Sequence, residues 1–318
     1  MAGAENLWWI LWLHGSAGYA LLVLLRWKGA VILQSLGVRP SVWLPRAAFL
    51  TLLGLLLVIL GTGLAWVFVG PLAFAGFSLL TIHAMLALAV AVLLGWHVLS
   101  FRFIFGVRRA IDRRAALSLG ALGVVGVAVW EVAALGSRVF NVPGAQRRFT
   151  GSYETASFSG DFPTVSWLFD DPTPIDARTW QLRIAGAVEQ PLAIDYARLL
   201  ELATATLTAT LDCTGGWYST QEWRGAPVGQ LLNLAQPKAT AHTVIFHSST
   251  GHDRRYSLAE ARQLLLATHV GGTPLNHDHG FPARLVAPGH RGYDWVKWVI
   301  GIEVVESAWF WQLPLPLR

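Results

Sequence analysis

The sequence predicts a four-helix transmembrane bundle followed by a mixed α+β, strand-rich globular domain. Three observations lead there. The 318 residues are 54% hydrophobic and only 14% charged, with a mean hydropathy of +0.47, which is too apolar for an ordinary soluble chain. The long apolar runs are confined to residues 1–136. Beyond about residue 180 the pattern changes to short period-two segments separated by turn residues and brief helical patches. The chain therefore divides into a transmembrane part (1–137), a linker (138–160) and a globular domain (161–318) large enough for its own core.

Four runs, at about 7–25, 47–69, 79–101 and 115–136, approach or exceed the roughly 20 helical residues that cross a bilayer. The loop after the first carries Arg26, Lys28, Arg39 and Arg46. The loop after the third carries Arg102, Arg108, Arg109, Arg113 and Arg114, whereas "GPLAFAGFS" between the second and third is uncharged. The positive-inside rule makes the two basic loops cytoplasmic, which leaves the N-terminus and everything after residue 137 outside the cytoplasm. The expected location is the cell membrane, with the C-terminal domain on the extracytoplasmic side and the lipid bilayer as a partner. Much of the formal charge of +5 sits in these loops, so it reads as topology rather than as a nucleic-acid surface. The fourth run opens "IDRRAALSLGALGVVGVA", which resembles a twin-arginine export signal, the route for domains that fold before crossing. Two ordinary cytoplasmic anchoring arginines are the alternative.

Histidines inside spans default to a functional hypothesis. His14 lies in the first run, and His83 and His97 lie in the third, about 21 Å apart along one helix and on nearly the same face. Neutral imidazole is an axial ligand for haem iron, and a His-x13-His spacing on one span resembles membrane b-type cytochromes. That family uses four histidines for two haems. With three candidates, at most one bis-histidine haem b is complete, and His14 with His83 is the expected pair. The competing reading is hydrogen bonding between helices. Glu131, in the fourth run, is expected to be a helix-packing polar residue.

Gly, Ser, Pro and Asp dominate the linker, and this composition continues to about Thr179. Strands are expected at "TWQLRIAGAV", "ATLTATLDC", "HTVIFHSS", "ARLVAPG" and "VKWVIGIEVVE". Helical patches are expected at "DYARLLELA", "APVGQLLNLA" and "SLAEARQLLLAT", the last opened by a Ser257 cap with Glu260 three residues on. Long βαβ units, a GxGxxG loop and a GxSxG elbow are all absent, which excludes a doubly wound dinucleotide fold and the common hydrolase motif. "NHDHG" is a weak metal motif because its ligands crowd one turn, and "HDRRYS" reads as a solvated turn. The chain has one cysteine, Cys213, so an internal disulfide and a multi-thiolate zinc site are excluded. A small buried apolar residue, a nucleophile, or one ligand of a metal otherwise held by a cofactor remain open.

"LDCTGGWYSTQEWRGAPVGQLL" and, about 70 residues on, "DHGFPARLVAPGHRGYDWVKWVIGIEVVE" together resemble the sulfite oxidase family of molybdenum enzymes, over roughly residues 160–307. That family includes plant nitrate reductase and the periplasmic molybdenum methionine-sulfoxide reductase. The resemblance implies a sulfite-oxidase-type molybdopterin-binding fold in which Cys213 is the protein thiolate on molybdenum, a soft donor suited to that metal. It also implies that Arg284 holds the pterin phosphate, that His279 and Lys297 contact the pterin, and that the backbone around Gly289–Gly292 lies near it. Gly215 would allow backbone to approach the metal.

Departures from the family pattern are as informative. Near the domain start stands "PTVSWLFDD", so Ser166 or Trp167 would replace usual pocket residues. The family's catalytic tyrosine has no secure match, Tyr256 being out of register. Of the arginines that bind sulfite, only Arg224 and Arg291 are candidates, Arg291 also being a candidate cofactor contact. Asp294 replaces a common basic residue. Trp217, Trp223 and Trp295 suggest either an apolar mouth or packing. A highly charged oxyanion substrate is therefore not expected. The implied activity is oxygen-atom transfer on a small-molecule substrate at molybdenum, with electrons exchanged with a membrane haem b or quinone. One alternative keeps the enzyme but makes the spans a mere anchor, with a soluble cytochrome partner. Another is a non-catalytic binding module on the same fold.

Overall fold

The computed structural model describes residues 8–37, 43–105, 113–165, 172–308 and 312. Two compact units divide between Tyr153 and Glu154.

In the first unit α1 (Trp8–Gly37) and α2 (Trp43–Phe68) are followed by a small hairpin of β1 (Ala73–Phe74) and β2 (Phe77–Ser78), then α3 (Leu79–Phe105) and α4 (Arg113–Val139). Within them, Trp8–Ala30, Arg46–Phe68, Leu79–Trp96 and Ala116–Val139 are long and apolar enough to cross a membrane. α1 continues well past the predicted end at residue 25, because Arg26 and Lys28 end the apolar run without breaking a helix. Apolar side chains such as Leu88, Val124 and Val132 point outward, as on helices that face lipid. α1 packs on α4 and α2 on α3. Small residues set the first contact: a Cβ on Gly126 would lie 2.6 Å from the Ser16 carbonyl oxygen and 2.7 Å from Ala20 Cβ, the close approach that small residues permit in membranes. Glu131 accepts a 2.9 Å hydrogen bond from Trp12 Nε1, so it links α4 to α1 as its packing role requires.

The second unit is strand-rich. After β3 (Tyr153–Glu154) at the junction come β4 (Gln181–Gly186), β5 (Leu192–Asp195), α5 (Tyr196–Leu202), β6 (Ala205–Asp212) and β7 (Trp217–Pro227). Then follow α6 (Val228–Ala235), β8 (Thr243–Ser248), β9 (Asp253–Ser257), α7 (Leu258–Ala261), β10 (Leu265–Val270), β11 (Thr273–Pro274), β12 (Arg284–Val286) and β13 (Val299–Val305). One sheet runs β5-β4-β13-β8-β9, with β13 parallel to β4 and antiparallel to β8. In the other, β10 lies between β7 and the short β11 and β12, and β6 pairs with β7. Leu182, Ile184, Trp223, Phe246, Leu266, Leu285 and Ile302 are buried in one hydrophobic core, where dispersion and the hydrophobic effect act together.

Each expected strand is present, and Ser257 caps α7 by accepting the Glu260 N–H at 3.2 Å. Three features differ from expectation. The helix expected over "SLAEARQLLLAT" is only α7 (Leu258–Ala261), and from Leu265 the segment is strand β10, because it pairs with β7 and β12 across the sheet. The segment "WYSTQEWRGAP" is an eleven-residue strand, although its polar residues hide the alternation: Ser219 and Gln221 are fully buried and hydrogen-bonded to each other. "HDRRYS" is no solvated turn. It forms β9, and Arg254 is buried against Asp294 at 3.2 Å, a partner 40 residues away that local pattern cannot reveal.

Where β7 passes β10, Gly225 is required by space. A Cβ there would sit 2.1 Å from the Leu266 carbonyl oxygen and 2.5 Å from Ala267 Cα, both backbone atoms. Gly225→Ala must part the two strands and is expected to cost about 1–3 kcal/mol. Thermal unfolding of the full chain tests this, and an unchanged transition would contradict the strand packing.

Candidate functional site

Cys213 occupies the turn between β6 and β7. Its N–H donates to the Trp217 carbonyl at 2.9 Å and its carbonyl accepts the Gly216 N–H at 3.3 Å. Gly216 has φ +90°, a conformation that favours glycine. The turn directs the Gly215 N–H at the Cys213 sulfur, 3.4 Å away. Burial pushes the thiol upward, opposed by the Gly215 N–H and by the charges of Arg291 and Arg284. The sulfur therefore lies in a dry site whose nearby dipoles and cations favour the thiolate.

Arg291 braces this turn. Its Nη1 donates to Asp212 Oδ1 at 2.9 Å and its Nη2 to the Cys213 carbonyl at 3.1 Å. Gly292 packs against the same backbone, since a Cβ there would lie 3.3 Å from both Asp212 O and Cys213 Cα. The turn Gly292–Asp294 is held from behind by Arg254–Asp294 (3.2 Å) and His290–Glu260 (2.7 Å). The carboxylate of Asp294, 3.6 Å from His290 Nδ1, and that of Glu260, hydrogen-bonded to Nε2, raise the His290 pKa against the effect of burial.

These elements close a cavity lined by Cys213, Thr214 and Trp217, by Phe162–Val165, by Ser248 and His252, and by Asp278, Arg284, Tyr293, Trp295, Lys297 and Trp298. Arg284, the first residue of β12, is 4% exposed. Its Nη1 donates to the His279 carbonyl at 3.1 Å, and its guanidinium lies over the rings of Trp223 (5.5 Å) and Trp295 (6.0 Å). Buried Nε has no hydrogen-bond partner. Burial lowers its pKa to about 10, and Cys213 opposes that shift. A guanidinium buried with an unused donor fits a phosphate. A buried sulfur beside it fits a soft metal, and the aromatic walls fit a flat heterocycle. The residues present thus fit a molybdenum–pterin group.

Other expected residues are placed more variously. Lys297 lines the cavity, with Nζ donating to Asp278 O at 3.2 Å and lying 4.1 Å above the Trp298 ring centroid. His279 stands behind the wall: its Nε2 bonds the Phe162 carbonyl at 2.9 Å, its ring stacks on Phe162, and burial lowers its pKa. It shapes the site through Phe162 and Arg284. Arg224 donates to Ala203 O, and buried Tyr256 donates to Asp294 O at 2.6 Å; neither lines the cavity. Ser166 and Trp167 lie outside the described residues, next to the lining residues Thr164 and Val165. Tyr293 and His252, which sequence reasoning did not single out, line the cavity, the His252 Nε2 bonding the Tyr293 carbonyl at 3.0 Å. Among the described residues, no cluster of three or more metal-ligating side chains occurs, "NHDHG" included.

In the first unit the structure brings His14 and His83 together, ring centroids 5.9 Å apart and planes at 82°. Both line a cavity of about 310 Å³ with apolar walls from α1, α2 and α3, Trp130 of α4, and Arg147. His97 falls on α3, and its side chain is outside the described residues.

Replacing Arg284 by methionine separates the cost of this cation from its use. Arg284→Met is expected to make cofactor-free protein, produced in cells lacking pterin synthesis, more stable by about 1–4 kcal/mol. The same variant made in competent cells is expected to lose pterin. Thermal unfolding and pterin fluorescence after oxidation measure the two effects. A strongly destabilised variant that retains full pterin would contradict the assignment.

Residues 170–310 match the oxidoreductase molybdopterin binding domain family. The chain is 28% identical to the NADPH nitrate reductase of Beauveria bassiana over 161 residues, covering 42% of this chain and 18% of that protein. Mitochondrial sulfite oxidase of Rattus norvegicus is 31% identical over 176 residues, covering 44% and 32%. The uncharacterized oxidoreductase YuiH of Bacillus subtilis is 28% identical over 148 residues, covering 45% and 75%. The chain thus spans less than a third of the nitrate reductase and about a third of the sulfite oxidase. With Cys213 and Arg284 facing one cavity inside the matched segment, residues 170–310 form a molybdopterin-binding oxidoreductase domain of the sulfite oxidase family.

Proposed function

We propose that the protein is a membrane-anchored, extracytoplasmic oxidoreductase that transfers an oxygen atom at a molybdenum centre and exchanges electrons with the membrane. The observation that carries this reading is the pairing in one cavity of a buried cysteine sulfur with a buried arginine whose Nε has no partner. The molybdenum cofactor, when bound, supplies two-electron oxygen-atom chemistry. This chain's residues hold and orient it: Cys213 as thiolate ligand, Arg284 on the phosphate, Lys297 at the cavity wall, and the Gly215 N–H and Arg291 fixing the cysteine turn. Two arginines that could bind an oxyanion are committed elsewhere, Arg224 to Ala203 O and Arg291 to Asp212. With Trp217, Trp295 and Trp298 in the walls, this favours a small substrate of low charge over nitrate or sulfite, the oxyanions in the relatives' names.

The four apolar helices and the two basic loops support the membrane anchor and the outer location of residues after 137. The Arg113–Arg114 pair supports export of a folded, cofactor-loaded domain. Changing both to lysine is expected to retain the domain on the cytoplasmic side, scored by protease accessibility in spheroplasts; unchanged export would overturn the export route.

The His14–His83 pair supports a b haem. Its planar, apolar body suits the cavity, and Arg147, the one charged residue among the described lining residues, suits a haem carboxylate. A haem there would supply one-electron exchange with quinone. Dithionite-reduced minus oxidised absorption spectra of the purified full chain are expected to show a b-type α-band that His83→Ala abolishes. A wild-type protein without that band would make the helices an anchor, with a soluble cytochrome as redox partner.

A further inference from the structure

We infer that Thr62 is the positioning residue of the membrane histidine pair: it fixes the tautomer of His83 and leaves Nε2 as the metal-binding nitrogen. This rests on the haem reading above. Thr62 Oγ1 donates to the Ile59 carbonyl at 2.9 Å, one turn back in α2. The same oxygen lies 3.0 Å from His83 Nδ1. A hydroxyl has one proton, and the Ile59 carbonyl, unlike an imidazole nitrogen, can only accept; with the proton given to that carbonyl, the oxygen presents a lone pair toward His83. The Nδ1 must then carry the hydrogen. A neutral imidazole carries only one, so Nε2 is bare and able to bind a metal.

The neighbouring residue supplies the room. Gly63 has no side chain, and a Cβ built there would come 3.3 Å from His83 Cε1, tight enough that the ring would have to shift. Consecutive residues of α2 therefore provide an acceptor and a gap for a ring carried by α3. His14, with its ring centroid 5.9 Å from that of His83, comes from α1. A merely structural hydrogen bond between α2 and α3 would need neither the second imidazole nor the cavity that both rings line. Donation from Nδ1–H to a fixed acceptor also makes the imidazole more basic, which favours the oxidised metal and lowers its potential.

The test uses the full chain purified in detergent, with haem content by the pyridine haemochrome and the midpoint potential by redox titration. Thr62→Val keeps the shape and removes the acceptor. It is expected to weaken haem retention about 10- to 100-fold and to move the potential of the remaining haem to a more positive value. Thr62→Ser, which keeps the hydroxyl, is expected to restore both. Where the valine variant does not accumulate, Thr62→Ala replaces it. Haem content and potential in Thr62→Val equal to wild type would overturn the role of Thr62 and leave the haem reading standing. The same shifts in Thr62→Ser and Thr62→Val would also overturn it, because the hydroxyl would then not matter. Wild-type protein with no haem would overturn the haem reading and this inference with it.

Discussion

The site in the second unit depends on one buried cation. Arg284 is enclosed with two tryptophan faces and one carbonyl for company, and a guanidinium in such a place costs several kcal/mol that those contacts only partly offset. Its pKa of about 10 keeps it charged at neutral pH even so. Beside it burial has pushed the Cys213 thiol upward. Each group is expensive alone and each favours the charged form of the other. An anionic phosphate and a soft metal would stabilise both at once, so the fold is biased toward the ligand by the two residues it has most difficulty burying.

The surrounding structure keeps that arrangement rigid. The cysteine turn is fixed by the Arg291–Asp212 pair and by the contact with Gly292, and the turn bearing Tyr293 is tied to β9 through Arg254 and to α7 through His290 and Glu260. A sulfur that is to hold a metal through changes of charge would gain from a support that cannot relax. Trp223 and Trp295, edge to face at 5.6 Å, link the arginine to the hydrophobic core, so substitutions in the core reach the site directly.

Much of this was legible in the sequence. Cys213 and Arg284 sit in local motifs about 70 residues apart, and the four long apolar helices needed only composition. What was not legible depends on contacts between distant residues. Arg254 looks like a turn residue until Asp294 is placed beside it. Arg291 reads as an anion ligand until Asp212 is seen to occupy it. His279 follows a cofactor motif, yet it acts through the Phe162 carbonyl, 117 residues away. Tyr293 lies within the second quoted block and His252 opens "HDRRYS", yet neither carries a signal of its own, and they share the cavity only because two turns meet there. The pairing of Thr62 with His83 likewise needs α2 and α3 side by side.

If the single thiol is the protein ligand of molybdenum, the metal's own X-ray absorption carries its signature. At the molybdenum edge of the purified full chain, wild type is expected to show one more sulfur scatterer than Cys213→Ser, the difference being the cysteine thiolate. Identical sulfur coordination in the two proteins would contradict it.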